Sequence, residues 1–257
     1  MSRFNNLELG DQHQAQSSSR PPLKDEQHFL DDSRSAFARG QFEQALRSYA
    51  KVLEFNPQNA MAWTGQVRML IELREFREAK LWADKALESF PEDAELLAAK
   101  AVALARTGDV KAALAFSDAA IAVHGDTPYV WLARGDVLLA RKEKRAAFCF
   151  EKALTLARSD WLFHWLASRV HYFYNQFSRA LKLAQQALAL DAGQAVLWLQ
   201  FGRCQLALGL LDAASNSFDQ ARELNLHCVR AEDEVSQIAA DSLWSRLCGR
   251  WRQWFQR

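Results

Sequence analysis

The chain has 257 residues, of which 49% are hydrophobic and 25% charged, and its 32 basic and 31 acidic residues give a formal net charge of +1. A charge so balanced argues against nucleic acid as a partner, because nucleic-acid-binding proteins usually carry a concentrated basic patch. The low content of glycine (10) and proline (5) disfavours many strands joined by tight turns and favours helices.

The N-terminal segment, residues 1–25, is polar and contains a serine run and two adjacent prolines, which predicts a disordered lead. It has no apolar run typical of a signal peptide, and no later stretch reaches the length of a transmembrane helix. The cysteines have no metal-binding spacing and are interpreted as reduced thiols: Cys149, Cys204, Cys228 and Cys248. The sequence therefore predicts a cytoplasmic protein.

The body of the chain repeats with a period of 33 or 34 residues. Alanine recurs at Ala45, Ala79, Ala113, Ala146, Ala180 and Ala214. Seven residues after each alanine stands another small residue: Val52, Ala86, Ala120, Ala153, Ala187 and Ala221. A large apolar residue precedes most of these alanines, at Phe29, Trp63, Leu97, Trp131 and Trp198, and His164 is the exception. This period predicts pairs of antiparallel helices, with the small residues where two helices pack closely.

The period divides residues 26–228 into six repeats. Four of them carry glycine or asparagine where the two helices should be joined, and these residues accept a left-handed backbone at low cost. The predicted repeats are 26–59, 60–93, 94–127, 128–160, 161–194 and 195–228. After them, residues 229–242 have apolar residues at helical spacing and are predicted to form a capping helix.

The stretch AWTGQVRMLIELREFREAKLWADKALESFPED at 62–93 resembles the tetratricopeptide repeat family, and the resemblance extends over residues 26–228. It implies an all-α fold, a right-handed superhelical solenoid of six helix pairs with a C-terminal capping helix. The last four copies depart from the family pattern because they lack its terminal proline. The resemblance implies a scaffold or adaptor that binds a partner protein within a multiprotein assembly.

No catalytic motif interrupts the repeats. The sequence holds no Gly-rich phosphate loop, no HExxH and no Gly-x-Ser-x-Gly. His164 and His171 lie seven residues apart on one predicted helix, about 10 Å along its axis, which is too far for one metal ion. We therefore expect no enzymatic activity, no cofactor and no metal site.

The resemblance also implies a concave groove lined by the second, fifth, ninth and twelfth positions of each repeat. Four of the six ninth positions are arginine, which binds carboxylates, and aromatic residues beside them are typical of binding hot spots. The predicted groove residues are Arg34, Phe37, Arg68, Tyr129, Asp136, Trp165, Arg169, Tyr172 and Arg203. We expect a peptide or helix that bears carboxylates as the ligand. The alternative is that these arginines pair with acidic residues of adjacent repeats.

The last fifteen residues, LWSRLCGRWRQWFQR at 243–257, contain four arginines and no acidic residue. Wound as a helix, they form an amphipathic segment whose contact residues are Trp244, Leu247, Arg250, Trp251, Trp254 and Phe255. The apolar stripe could be buried against the solenoid, in a partner protein or in a membrane interface, where tryptophan and arginine are also favoured. Protein contact is the favoured interpretation because a solenoid end needs cover. The alternative function is that of a peripheral membrane adaptor.

Overall fold

The computed structural model describes residues 25–224, and this range contains twelve α-helices and no strand. The helices are α1 (Glu26–Ala38), α2 (Phe42–Phe55), α3 (Ala60–Glu72), α4 (Phe76–Ser89), α5 (Ala94–Thr107), α6 (Val110–Ala122), α7 (Pro128–Ala140), α8 (Ala146–Ala157), α9 (Trp161–Phe173), α10 (Phe177–Leu190), α11 (Ala195–Ala207) and α12 (Leu211–Leu224). Consecutive helices pack as pairs, and each pair packs on the next. The predicted all-α repeat solenoid is confirmed.

A polar side chain caps the first helix in five of the six repeats. Asp25, Asn59, Asp93 and Thr127 each accept a hydrogen bond from the backbone N–H three residues later. Asp160 accepts one from Leu162, two residues later. Such a cap typically stabilises a helix by about 1 kcal/mol, because it satisfies a backbone donor that has no partner within the helix. The caps therefore help to fix where each repeat begins.

The turn inside each repeat contains one residue with a left-handed backbone. Glycine or asparagine fills this position in four repeats, as the sequence indicates. The other two repeats place Arg74 (φ 67°) and Lys142 (φ 57°) there. A side chain with a Cβ makes this conformation costly, by about 1–2 kcal/mol. The turn geometry is thus kept even where the residue type opposes it.

The recurring small residues lie where the pattern predicts them, in the contacts between helices. The alanines of the first set are 0–2% exposed, and the second set is fully buried. Ala113, for example, belongs to a cluster with Ala101, Leu104, Ala105 and Val137. Because only small side chains fit between such closely packed backbones, these positions set the distance between the helices.

Three of the recurring tryptophans hold the turn that precedes their own helix. The indole N–H of Trp63 donates to the carbonyl of Pro57 at 2.8 Å, and that of Trp198 donates to Ala192 at 2.8 Å. The indole of Trp131 donates to the Asp126 carboxylate at 2.6 Å. Each ring therefore both packs on its neighbours and ties down the connection between repeats.

Several predictions concern segments outside the described residues. These are the polar lead up to residue 24, the end of the sixth repeat, the capping helix at 229–242 and the tail at 243–257. Within residues 25–224, no helix has the length and apolar character needed to cross a bilayer.

The packing of Ala113 gives a stability prediction. Ala113→Leu forces three extra heavy atoms into a filled contact, and we expect the free energy of unfolding to fall by about 1–3 kcal/mol. Ala115→Leu, on the exposed side of the same helix, is the matched control and should change it by less than about 0.5 kcal/mol. Chemical denaturation followed by circular dichroism measures both. Equal values for the two variants would contradict the close-packing interpretation.

Candidate partner-binding groove

The first helices of all six repeats contribute side chains to a cavity of about 500 Å³. Seven of the nine predicted groove residues line it, namely Phe37, Arg68, Tyr129, Asp136, Arg169, Tyr172 and Arg203. The cavity wall contains five arginines and three carboxylates together with aromatic and aliphatic side chains. The arrangement is therefore an amphipathic groove with an excess of positive charge.

The other two predicted residues lie elsewhere. Arg34 is exposed, forms an ion pair with Asp31 of its own helix and contacts the sulfur of Met61. Trp165 is only 2% exposed, because the rings of Phe37 and Phe42 pack against it with centroids at 6.2 and 6.0 Å. Partner contact by either residue stays a prediction, and for Trp165 it would require those rings to move.

Asp136, a predicted groove residue, is held by two donors of the chain itself. Arg106 binds both carboxylate oxygens through one guanidinium edge, with Nε at 3.0 Å from Oδ1 and Nη2 at 2.6 Å from Oδ2. The Tyr174 hydroxyl donates to Oδ1 at 2.7 Å. The side chains of Arg106 and Asp136 are 7% and 3% exposed. A buried ion pair joined by two hydrogen bonds is a structural part of the groove wall.

The surroundings of Arg106 and Tyr174 keep both side chains protonated. Burial acts to lower the pKa of Arg106, but the charge and hydrogen bonds of Asp136 outweigh it and raise that pKa above its usual value. Burial, followed by the nearby Asp136 charge, raises the pKa of the Tyr174 hydroxyl. The guanidinium also lies 3.5 Å from the ring centroid of Phe173. The Arg106 guanidinium therefore stays a cation, in contact with the Asp136 carboxylate, the neutral Tyr174 phenol and the face of the Phe173 ring.

Arg169 and Arg68 have different environments within the same groove. The Nε of Arg169 donates to Glu72 Oε2 at 2.7 Å, so this predicted ligand contact pairs with an acidic residue of the chain. The pairing crosses from the fifth repeat to the second, whereas the sequence suggested adjacent repeats. Arg68 lies over the rings of Tyr129 and Phe37, at 4.0 and 5.3 Å from their centroids. Within residues 25–224 it takes part in no ion pair.

Sequence reasoning missed three groove residues that share one position. Glu72, Arg106 and Phe173 all stand at the thirteenth residue of their repeats. That position lies four residues after the ninth, one helical turn further along the same face. The 3.6-residue period could therefore have found them, although the positions taken from the family end at the twelfth.

His171 has a structural environment next to the groove. Its Nδ1 lies 2.9 Å from Gln176 Oε1, and its ring packs on Phe150. Burial lowers the pKa of this histidine, which favours the neutral ring. His164 instead contacts the carbonyl of Asp160. Residues 25–224 contain no cluster of three or more side chains suited to hold a metal ion.

The buried pair yields a second stability prediction. Asp136→Ala leaves the Arg106 cation buried without its partner, and we expect a loss of about 3–5 kcal/mol in the free energy of unfolding. The matched control, Asp118→Ala, removes a carboxylate that is 56% exposed and pairs with Arg134. It should cost less than about 1 kcal/mol. Replacing both Arg106 and Asp136 by leucine should lower the free energy of unfolding less than Asp136→Ala does, because no buried charge is then left without a partner. Denaturant titration of the three variants checks this order.

Comparison with known proteins agrees with this architecture. A family model described as tetratricopeptide repeat matches residues 36–102 and 174–231. The chain has no significantly similar relative among curated proteins.

Solved structures share the fold at low sequence identity. A tetratricopeptide repeat protein from Parabacteroides merdae is 16% identical, with a TM-score of 0.54 over 85% of this chain and 86% of that one. TTC0263 of Thermus thermophilus is 18% identical, with a TM-score of 0.50 over 84% of this chain and 100% of that one.

The human IFIT1 dimer with m7Gppp-AAAA is 17% identical, with a TM-score of 0.51 over 84% of this chain. This chain spans just 55% of the IFIT1 chain. At these identities the likeness shows the fold alone. The family model and the repeated helix pairs together support a tetratricopeptide repeat protein, and the solved structures agree with it in fold.

Proposed function

We propose that this chain is a non-catalytic scaffold that binds an acidic peptide or helix of a partner protein in its concave groove and so supports a multiprotein assembly. Tetratricopeptide repeats in general are protein-interaction scaffolds. The observation that carries the finer proposal is Arg68, which stands in the groove without an ion pair among the described residues.

The position of Arg68 over an aromatic ring supports a role in recognising carboxylates. Its Cζ lies 4.0 Å from the centroid of the Tyr129 ring, and an aromatic face attracts a guanidinium without accepting the hydrogen bonds that its N–H groups can donate to a carboxylate. Burial raises the pKa of the Tyr129 hydroxyl, so this ring stays neutral. Arg74, exposed beside the Phe173 ring, adds a further cation to the groove wall. The site therefore combines charge with aromatic area, as binding hot spots do.

The size of the groove supports a short ligand. A volume of about 500 Å³ lies within the range of roughly 300–1,000 Å³ that is typical of ligand pockets. Such a space accommodates a few side chains of an extended or helical segment but not a folded domain. The proposed ligand is therefore a segment that a partner presents, with carboxylates placed to meet the arginines.

A peptide titration tests the proposal. The acidic probe is a fluorescein-labelled octapeptide of alternating glutamate and leucine, and the neutral probe has glutamine in place of glutamate. We expect the acidic probe to bind, and Arg68→Gln to weaken that binding about tenfold, equivalent to about 1.4 kcal/mol. Arg68→Lys should lose less because the charge remains. Fluorescence anisotropy measures each dissociation constant.

Arg47→Gln is the matched control, because Arg47 is an exposed arginine of α2 outside the groove lining. It should bind the probe like the unchanged protein. Equal binding of the acidic and neutral probes would contradict carboxylate recognition. A fall in melting temperature for Arg68→Gln with binding unchanged would identify Arg68 as a structural strut instead.

The amphipathic tail motivates the second candidate function, a peripheral membrane adaptor. Deletion of residues 243–257 tests it, because tryptophan and arginine would bind an anionic surface at about 1 kcal/mol per cation. A membrane role predicts that flotation with phosphatidylserine-containing vesicles is lost on deletion, while the melting temperature is unchanged. Docking on the solenoid predicts a lower melting temperature with no vesicle binding by either form. If deletion changes neither property nor probe binding, both interpretations of the tail are wrong.

A further inference from the structure

An ion pair crosses the groove between two distant repeats. Glu72 of α3 and Arg169 of α9 are 97 residues apart in sequence, and Oε2 of the glutamate lies 2.7 Å from Nε and 2.5 Å from Nη2 of the arginine. Repeat solenoids normally make contacts only between neighbouring repeats. A pair that joins the second and fifth repeats therefore brings opposite sides of the superhelix together.

Aromatic side chains follow the same path across the groove. Phe42 of the first repeat stacks on Trp165 of the fifth, with ring centroids 6.0 Å apart and planes at 20°. Phe76 meets Phe173 edge-on at 5.9 Å. The turn at Gly40 also reaches the sixth repeat, since a Cβ built there would lie 3.9 Å from the Cβ of Val196. These contacts across the groove are called the latch below.

We propose that Glu72 is the groove's internal ligand: its carboxylate binds Arg169, holds the latch closed, and is displaced when an acidic ligand enters. The identity of the displacing ligand rests on the proposed function, whereas the closed latch and the part of Glu72 in it do not. In this assignment Glu72 is a specificity-determining residue, because a ligand must bring a carboxylate that replaces it.

A ligand carboxylate can replace Glu72 on Arg169 without loss of charge balance, and the ion pair is accessible to it. One carboxylate replaces another on the same guanidinium, and the released Glu72 carboxylate is hydrated, so no charge is left buried without a partner. Both side chains are 20% exposed, which gives an incoming carboxylate a route to the pair.

A disulfide trap tests whether the latch closes in solution. Gly40→Cys with Val196→Cys should form a disulfide under mild oxidation, because the Cβ separation of 3.9 Å lies in the range of about 3.5–4.5 Å that a disulfide needs. Every trap variant also carries Cys228→Ser and Cys248→Ser, and the two native thiols that remain, Cys149 and Cys204, are buried. Non-reducing electrophoresis and peptide mass spectrometry detect the bond.

The matched control moves only one cysteine. Gly209 fills the same turn position in the sixth repeat and has the same left-handed backbone, with φ 78° against 70° for Gly40. A Cβ at Gly209 would have no atom within 4 Å among the described contacts. Gly209→Cys with Val196→Cys should therefore stay reduced. Equal yields from the two pairs, or no bond from the first, would overturn the latch.

The part played by Glu72 is tested in the same trap. Glu72→Gln should slow formation of the disulfide between positions 40 and 196 at least threefold, because the neutral amide holds Arg169 less strongly. The control is Asp84→Asn, which weakens an ion pair with Lys100 between the adjacent helices α4 and α5. It should leave the rate unchanged. Circular dichroism melts confirm that both variants are folded, and an unchanged rate for Glu72→Gln would overturn the proposal.

The acidic probe distinguishes this inference from the proposed function. Displacement predicts that the probe slows the trap at least threefold at saturation, that the neutral probe does not, and that Glu72→Gln binds the acidic probe at least threefold more tightly. Probe binding without any effect on the trap would overturn displacement and leave the proposed function standing. If neither the unchanged protein nor Glu72→Gln binds the acidic probe, the proposed function fails, and displacement fails with it.

Discussion

The close approach of the two helices within each repeat is the constraint on which the rest of the structure depends. Alanine or another small residue is buried at every one of these contacts, so the backbones, and not long side chains, set the spacing. A constant spacing lets each helix pair present the same edge to the next pair. The groove exists because the six pairs keep their first helices on one side, where each of these helices contributes to the lining.

Local features of the fold could be predicted from the sequence because their causes are local. The alanine period locates the helix contacts, and glycine or asparagine locates four of the six turns. Arg74 and Lys142 could not be placed in this way, since nothing in their chemistry favours a left-handed backbone and the repeat geometry imposes it on them. The starts of the first helices could also have been predicted from the sequence, because a short polar residue that can cap a helix stands before five of them.

The composition of the groove could be predicted better than its pairings. The ninth position of the repeat places Arg68, Arg169 and Arg203 in the cavity lining, because helical periodicity decides which face a residue occupies. The partner of Arg169 was unpredictable, since Glu72 reaches it only through the accumulated curvature of the intervening repeats. Curvature sums small angles at many interfaces, and no single stretch of sequence encodes that sum.

Three arginines of the groove show that residue type alone does not define a binding site. Arg106 is buried against Asp136 and Tyr174, so the cost of separating those charges makes it a fixed part of the wall. Arg169 is more exposed, and its carboxylate partner Glu72 belongs to a helix three repeats away. Arg68 is positioned by aromatic rings, which orient a guanidinium without neutralising it. The three arginines thus differ in how firmly the chain holds them: Arg106 is in a buried ion pair, Arg169 is in a partly exposed one, and Arg68 takes part in no ion pair within residues 25–224.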